Sequence, residues 1–215
     1  MVSIYSCPVC QLALDKRENQ FVCDAGHAFD ISREGYVNLL LAHHKKTTEP
    51  GDSKEMVQGR RSFLGKGHYD PVSDELNRVV AAICRDTATN GIFQILDAGC
   101  GEGFYLWKLG QALAAQGCKD ALGLWGFDIS KIAVQLAARR DPGSHLAVGS
   151  TYRLPVRPHC LDAIISVFAP GEDQEFRRIL KPGASLVTLG PGPRHLAALR
   201  AVVYDTPQEH QVEPT

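Results

Sequence analysis

The stretch Gln94-Ile-Leu-Asp-Ala-Gly-Cys-Gly-Glu-Gly-Phe-Tyr105 decides the fold of this chain. An apolar pair leads to Asp97, and three glycines follow it at alternate positions, Gly99, Gly101 and Gly103. Apolar residues then recur at helical spacing, at Leu106, Leu109 and Leu113. This pattern is typical of a buried strand, a tight glycine turn and a helix start, which together form the first half of a βαβ unit.

The side chains of this glycine loop indicate the charge of its ligand. A dinucleotide fingerprint would need a glycine where Phe104 stands, and the carboxylate of Glu102 would repel a pyrophosphate. S-adenosylmethionine fits better because its sulfonium and α-amino groups are positive. A second strand, Leu124–Asp128, ends in an acid that can accept from both ribose hydroxyls. The alternative interpretation is a structural turn with surface acids. The predicted donor-binding residues are Asp97, Gly99, Gly101, Glu102 and Gly103 at the methionine end and Asp128 at the ribose.

Length, charge and cysteine number restrict the remaining possibilities. A chain of 215 residues, 44% hydrophobic and 22% charged, is expected to form one core domain with a small addition. The net charge of -1 means that any nucleic-acid contact must come from a local basic patch. Because there is no apolar run of about eighteen residues and no signal-peptide pattern, we expect a cytoplasmic protein without a membrane segment. The odd number of cysteines, seven, favours a metal site over disulfides.

The first forty residues carry a metal-binding pattern. Two cysteines two residues apart are followed by a predicted hairpin of Leu12–Leu14 and Gln20–Val22, which returns a third cysteine and a histidine to the first pair. Three thiolates and one imidazole form the closed tetrahedral set of a structural zinc site. The alternative is free thiols beside a surface histidine. The predicted ligands are Cys7, Cys10, Cys23 and His27, in a zinc-binding module that spans residues 1–40.

A basic linker and a helix are predicted between residues 41 and 75. The run His43-His-Lys-Lys46 is followed by a helix over Ser53–Leu64, with Asp52 or Ser53 as its N-cap. Basic runs are usually solvated linkers, and contact with phosphates is the functional alternative. The candidate RNA-contacting residues are Lys45, Lys46, Arg60 and Arg61.

The rest of the chain alternates strands with helices, which predicts an α/β fold with a parallel sheet and crossovers on both faces. The sheet domain is expected to occupy residues 76–215, with its boundary between roughly 68 and 90. The expected elements are a helix capped by Ser73, a helix capped by Ser130, strands at His145–Ser150 and Leu161–Phe168, a helix at Glu172–Leu180, a strand at Ala184–Leu189 and a last helix at about His195–Tyr204.

Taken in order, the motifs of the chain resemble those of the 23S rRNA guanine-N1 methyltransferases, a family that includes macrolide (tylosin) resistance enzymes. The resemblance spans nearly the whole chain, and the combination of zinc and linker motifs is specific to that family. The motifs are Cys7-Pro-Val-Cys10, Cys23-x3-His27-x-Phe-Asp30, Glu34-Gly-Tyr-Val-Asn-Leu-Leu40, Pro50-Gly-Asp-Ser53, Gly67-His-Tyr69, the glycine loop, Phe168-Ala-Pro170 and Pro191-Gly-Pro-Arg-His-Leu196.

The resemblance implies a class I (Rossmann-like) methyltransferase sheet with S-adenosylmethionine as methyl donor. It also implies a guanine in a 23S rRNA hairpin as acceptor and a homodimer as the active form. Tyr69 and His195 are implied to border the donor site. Members of the family continue past the point where this sequence stops, so we expect a C-terminally truncated sheet whose donor pocket is retained and whose full activity is in question.

The segment Val167-Phe-Ala-Pro-Gly171 predicts which nitrogen is methylated. Enzymes that methylate exocyclic amines usually carry Asp or Asn before two prolines and an aromatic residue here, and this segment has no such acceptor. A ring nitrogen such as guanine N1 needs only the loss of one proton and a stacked base. Phe168 could supply that stack, or it could be the last core residue of its strand. Asp30 and Glu34 are considered as bases, and none is assigned.

Two other functions are consistent with these residues. One is a small-molecule class I methyltransferase with an added zinc module, which the generic motif Arg178-Ile-Leu-Lys-Pro-Gly183 and the nearly neutral charge would suit. The other is an RNA-binding module that holds the donor without turnover, which the short C-terminus would suit.

Overall fold

The protein is described by a computed structural model that covers residues 3–42, 50–87, 91–117 and 122–204. Its strands are β1 (Asp15–Arg17), β2 (Gln20–Val22), β3 (Ala28–Asp30), β4 (Val37–Asn38), β5 (Phe93–Ala98), β6 (Leu122–Asp128), β7 (His145–Val148), β8 (Leu161–Val167) and β9 (Leu180–Leu189). Its helices are α1 (Lys54–Leu64), α2 (Asp70–Asp86), α3 (Phe104–Ala115), α4 (Lys131–Arg140), α5 (Asp173–Ile179) and α6 (Ala197–Val203).

The centre of the molecule is a parallel sheet of six strands in the order β4-β7-β6-β5-β8-β9. Every residue of β8 is buried, as expected for a strand covered on both faces. The chain adds β6 and β7 on one side of β5 and then crosses to β8 and β9 on the other. This reversal opens a crevice at the carboxyl ends of the central strands, where ligands of open α/β sheets bind. The predicted parallel α/β sheet is confirmed.

Three helices cover one face of the sheet. Leu76 and Val80 of α2 and Leu109 of α3 share a buried cluster with Ile95 of β5. The helix α4 packs beside them through Val134, against alternate residues of β7. The amphipathic spacing of these helices therefore buries one face of β5, β6, β7 and β8.

The N-terminal segment covers the opposite face. The connection from β7 to β8, residues 149–160, contains no helix, and residues 3–6 lie along it as an extended segment. The amide of Ser6 donates to the carbonyl of Pro155 (2.9 Å), and the amide of Arg157 donates to the carbonyl of Ile4 (2.9 Å). Tyr5 is buried with its ring edge-on to Trp125, at 5.1 Å between centroids. The start of the chain therefore fills the space that a crossover helix would occupy.

The small sheet β1-β2-β3 is antiparallel, and its hairpin begins later than predicted. The predicted first strand, Leu12–Leu14, pairs with the N-terminal segment instead, through a bridge from Ala13 to Ser6 and a bond from the Leu14 amide to the Tyr5 carbonyl (3.0 Å). Leu14 is buried there. The hairpin strand starts at Asp15 because the three residues before it pair with the N-terminal segment and Leu14 is buried in the core.

The metal-binding module and the main sheet share one core. The short strand β4 joins the edge of the main sheet, with Val37 opposite Ala147. Tyr5, Leu14 and Phe21 belong to the same buried cluster as Leu96 and Trp125 of the sheet. The domain limits 1–40, 41–75 and 76–215 remain predictions, and packing across the first of them is extensive.

Two of the three predicted helix caps are confirmed. The Ser53 hydroxyl accepts from the amide of Met56 at the start of α1, and the Ser130 hydroxyl accepts from the amide of Ala133 at the start of α4. The cap predicted at Ser73 is wrong, because α2 already begins at Asp70 and Ser73 is buried inside it. Proline in the first turn allows this earlier start, since its missing amide is not needed there.

Candidate active site

A cavity of about 530 Å³ lies at the carboxyl ends of β5, β6 and β8. Its floor is the glycine loop between β5 and α3 together with Asp128 at the end of β6. Its walls come from α1, from Tyr69 before α2, from Phe168 after β8 and from His195 before α6. Most of the predicted donor-site residues therefore meet in one crevice.

The glycines of the loop have different tasks. Gly99 and Gly101 line the cavity, and Gly101 has a left-handed backbone (φ 54°) with no atom within 4 Å of the position that a Cβ would take. A side chain at Gly101 would therefore extend into ligand space. Gly103 does not line the cavity. A Cβ there would lie 2.9 Å from the Cβ of Ala137, so this glycine allows α3 to pack closely on α4.

Asp97 lies beneath the loop as a buried carboxylic acid. It is 1% exposed, and its Oδ2 has no hydrogen-bond partner in the part of the chain that the structure describes. Burial and the nearby Asp128 raise the pKa of Asp97 to about 8. An unpaired buried carboxylate oxygen is costly unless a ligand or water satisfies it.

Asp128 joins the two strand ends at the floor of the cavity. Its Oδ2 accepts from the amide of Gly101 (2.9 Å), and its Oδ1 accepts from the amide of Ser130 (2.8 Å). Burial raises the pKa of Asp128, and these two amides oppose the shift. The same carboxylate therefore holds the glycine loop in place and presents its remaining lone pairs to the cavity.

Glu102 has basic partners that the sequence did not indicate. Its Oε2 accepts from Nε (3.1 Å) and Nη2 (2.5 Å) of Arg140, and Nε of Arg61 lies 3.8 Å away. Its Oε1 is buried without a partner among the described residues. Burial raises the pKa of Glu102, and Arg140 opposes that shift. Because Arg140 lies on α4, it orients this acid from a distant part of the sequence.

The donor set fits S-adenosylmethionine. Asp97 and Glu102 each keep one buried oxygen unpaired, and both adjoin the loop on which the methionine end was predicted to lie. Such oxygens can accept hydrogen bonds from a cationic ligand. The donor-site residues themselves remain predictions, and this geometry supports them.

An aromatic group forms the outer wall of the cavity. Phe168 follows β8 with a left-handed backbone (φ 50°), and its side chain is 42% exposed. The ring of Tyr69 meets it edge-on at 5.9 Å, and the ring of His195 lies tilted over it at 5.7 Å. Because Phe168 is exposed at the mouth, the structure does not place it as a core residue. A strained backbone at an exposed aromatic residue is typical of a ligand site.

The four predicted metal ligands come together in the N-terminal module. The ligand atoms of Cys7, Cys10, Cys23 and His27 all lie within 4.8 Å of one another. The sulfur atoms of Cys10 and Cys23 are 3.6 Å apart, and Nδ1 of His27 is 3.4 Å from the sulfur of Cys23. Zinc–sulfur bonds of about 2.3 Å in a tetrahedron separate two thiolates by about 3.8 Å. The cluster therefore fits a zinc ion.

Comparison with known proteins agrees with an N-terminal zinc module that is followed by a methyltransferase domain. Residues 5–48 match the family described as "RlmA, N-terminal", and residues 95–183 match the family described as "Methyltransferase domain". The chain is 36% identical to the 23S rRNA (guanine(748)-N(1))-methyltransferase of Streptomyces fradiae, over 93% of this chain and 67% of that protein. It belongs to the 23S rRNA (guanine-N1) methyltransferase family.

Two further relatives are named putative 23S rRNA (guanine-N1) methyltransferases. The relative from Micromonospora griseorubida is 36% identical over 90% of this chain and 67% of its own length. The relative from Bacillus subtilis, YxjB, is 32% identical over 96% of this chain and 71% of its own length. This member of the guanine-N1 methyltransferase family thus spans about two thirds of the length of each relative.

The predicted RNA-contacting residues have different outcomes in this family member. Arg60 forms an ion pair with Asp52 and lines the cavity, and Arg61 lies against Glu102. Both arginines are about half exposed, so they border the crevice and not a distant surface. Lys45 and Lys46 lie outside the described residues.

Neither acid considered as a base reaches the cavity. Glu34 accepts from Nη2 of Arg139 and Nε2 of Gln135, each at 3.0 Å, on the outer side of α4. These two hydrogen bonds lower the pKa of Glu34 to about 2. Asp30 is an exposed residue of β3. The zinc module of this guanine-N1 methyltransferase family member therefore does not bring either carboxylate to the donor pocket.

Sequence reasoning missed three residues at the site. Arg140 pairs with Glu102, Phe63 packs edge-on to Tyr69 at 5.5 Å, and Tyr152 lines the mouth with its side chain exposed. Arg140 stands 38 positions from Glu102, whereas Phe63 lies six positions before Tyr69, in the helix predicted over Ser53–Leu64. No helix in the described part of the chain is long and apolar enough to cross a membrane.

Proposed function

We propose that this chain transfers a methyl group from S-adenosylmethionine to N1 of a guanine in 23S rRNA. The observation that carries the proposal is one cavity that is lined by the glycine loop, Glu102 and Asp128 as well as by the exposed aromatic residue Phe168. Membership of the guanine-N1 methyltransferase family supports the choice of acceptor. An rRNA substrate also supports a cytoplasmic site of action.

The donor supplies an electrophilic methyl group on a sulfonium when it is bound. The unpaired oxygens of Asp97 and Glu102 can accept hydrogen bonds at its methionine end, and Asp128 accepts from the ribose hydroxyls. Gly101 has no side chain and so leaves space for the ligand beside the loop. Tyr69 and His195 border the same space from the outer wall.

The end of β8 favours a ring nitrogen over an exocyclic amine. An amine is held by acceptors, and two of the backbone carbonyls here already accept a hydrogen bond each. The hydroxyl of Thr151 donates to the carbonyl of Pro170 (2.7 Å), and the hydroxyl of Ser166 donates to the carbonyl of Ala169 (3.4 Å). Phe168 offers a face on which an unstacked base can lie. The base must leave its own stack, which suits a hairpin loop better than a continuous duplex.

The remaining parts of the proposal concern metal and partners. Cys7, Cys10, Cys23 and His27 hold one structural zinc, since their four ligand atoms leave no open position. Lys45, Lys46, Arg60 and Arg61 supply phosphate contacts. A 23S rRNA hairpin is the substrate and a homodimer is the active assembly, in line with the family resemblance.

The experiment that tests the function is methyl transfer from labelled donor to 23S rRNA that lacks the modification. We expect 1-methylguanine as the product after nuclease digestion and mass spectrometry. N6-methyladenine would contradict the proposal. Transfer to a metabolite pool and not to rRNA would show a small-molecule enzyme, and donor binding without any transfer would show a binding module.

A further inference from the structure

The turn before α6 holds His195 beside Phe168 in the outer wall of the cavity. The amide of His195 donates to the carbonyl of Gly192 (2.9 Å), and the amide of Ala197 donates to the carbonyl of Arg194 (3.1 Å). Leu196, between them, has a left-handed backbone (φ 56°) and an exposed side chain. Two strained residues, Leu196 and Phe168, thus flank one histidine whose ring lies 5.7 Å from the ring of Phe168. Strain of this kind persists where a side chain must be aimed.

The carboxylates of the cavity are engaged elsewhere. Asp128 accepts from two backbone amides, Glu102 is paired with Arg140, and Asp52 is paired with Arg60. Each of these contacts stabilises the carboxylate anion and so makes the group a weaker proton acceptor. The phenol of Tyr105 is protonated near neutral pH, since burial raises its pKa to about 12.

His195 differs from all of these groups. Its imidazole has no hydrogen-bond partner among residues 3–42, 50–87, 91–117 and 122–204, and its one ring contact there is with Phe168. A neutral imidazole has one ring nitrogen with a lone pair that can accept a proton. His195 therefore lies beside Phe168, on which the acceptor guanine would stack, and it has a nitrogen lone pair available.

We propose that His195 is the general base that removes the proton from N1 of the acceptor guanine. The inference rests on the proposed function and deepens it, because it assigns the proton acceptor of that reaction. A protonated ring nitrogen has no lone pair in the ring plane for attack, so its proton must leave as the new bond forms. General bases of this kind contribute about 100- to 10,000-fold in rate.

The reaction balances in charge and atoms with this assignment. A bond forms between N1 and the methyl carbon, and the bond between that carbon and sulfur breaks with its electron pair left on sulfur. The N1 proton passes to a ring nitrogen of His195. The positive charge lost by sulfur therefore reappears on the imidazolium, and release of its proton to water resets the site.

Other ionisable groups that share the cavity or the turn will influence the pH response. They come from every element around His195 and include both signs of charge. They are Asp52 and Arg60 from the α1 region, Tyr69 before α2, Glu102 and Tyr105 after β5, Asp128 after β6, Tyr152 after β7 and Arg194 in the same turn.

The test compares His195→Gln and His195→Ala with the unaltered chain in single turnovers at saturating donor and unmodified 23S rRNA, from pH 5.5 to 9. For the unaltered chain we expect a rate that rises with pH and then levels off once the general base has lost its proton. His195→Gln should lower the plateau rate about 100-fold or more and lose this inflection. Free imidazole should restore part of the rate of His195→Ala. Because the donor is saturating, a change in donor affinity, measured separately by calorimetry, does not enter these rates.

The matched control is His159→Gln, an exposed histidine at the opposite end of β8 that contacts the carbonyl of Leu180. It should retain the rate and pH profile of the unaltered chain. An unchanged rate and profile in His195→Gln would overturn the assignment. So would a slow His195→Ala that imidazole does not rescue, which would show a positioning role. If the unaltered chain makes no 1-methylguanine, the proposed function fails first; if it does, only the role of His195 is in question.

Discussion

Asp128 shows how one side chain serves both loop and ligand. Its carboxylate joins the glycine loop to the end of β6 through the amides of Gly101 and Ser130. We expect Asp128→Ala to reduce donor affinity by about 2–4 kcal/mol, because two charge-assisted hydrogen bonds to the ribose and the support of the loop are lost together. Titration calorimetry with donor measures this. Asp141→Ala, which removes an acid that accepts local bonds after α4, should leave affinity unchanged.

The role of Gly101 can be separated from backbone strain. Gly101→Ala and Gly183→Ala both place a side chain on a left-handed backbone (φ 54° and 78°), and neither Cβ meets an atom within 4 Å. Both variants should therefore lose about 1 kcal/mol in the free energy of unfolding, and their melting temperatures should fall by similar amounts. Only Gly101→Ala should weaken donor binding, at least tenfold, and Gly101→Val should abolish it. Equal donor affinity in the two alanine variants would remove Gly101 from the site.

Asp97 should make the donor-free protein less stable as pH rises. Its folded pKa of about 8 lies above the usual value, so the unfolded chain binds fewer protons than the folded one between about pH 4 and pH 8. The free energy of unfolding therefore falls across that window. Denaturant titrations at pH 5 and pH 8 measure the fall, and Asp97→Asn should reduce it. A steeper fall in Asp97→Asn would contradict this account.

At the residue scale, the sequence predicted groups whose partners are local and missed those whose partners are distant. The glycine spacing identified Gly99 and Gly101 as cavity residues because the turn is encoded within a few positions. The pairing of Glu102 with Arg140 crosses 38 positions, and no periodicity reports it. The exposure of Phe168 likewise depends on a backbone angle that follows from the packed end of β8.

At the element scale, long periodic segments were predictable and short ones were not. The strands of the main sheet and the caps of α1 and α4 agree with their sequence patterns. The two-residue strand β4 and the late start of the hairpin could not be read locally, because each is decided by a partner elsewhere in the fold. Ser73 failed as a cap because proline had already started α2 one turn earlier.

The zinc module offers a prediction at this scale. Cys7→Ser and Cys23→Ser should each lose the single bound zinc, which atomic absorption on reduced protein measures. Because Tyr5, two residues before Cys7, packs on Trp125 and Phe127, both variants should also lower the melting temperature of the whole chain. Cys160→Ser, outside the cluster, should keep zinc and stability. Purified chain without zinc, or a melting transition unchanged by its loss, would contradict the assignment.

At the scale of the whole molecule, a net charge of -1 leaves RNA binding to local patches. We expect Lys45→Ala/Lys46→Ala to weaken binding to the rRNA hairpin and to lower the slope of log affinity against log salt by about 1.5, since each phosphate contact releases counterions. Filter binding at several salt concentrations measures this. Arg78→Ala/Arg85→Ala removes the same charge from the exposed side of α2 and serves as the control. Equal salt slopes in the two double variants would place the RNA contact elsewhere.

The seat of the N-terminal segment along residues 149–160 has a consequence for how the chain is made. Ile4–Ser6 leave the ribosome long before their hydrogen-bond partners at residues 155–157, which emerge only after β7 has been synthesised. The local strands β1, β2 and β3 can pair early, whereas the apolar ring of Tyr5 remains exposed until the main sheet has formed. Long-range contacts of this kind slow folding and expose nascent chains to aggregation.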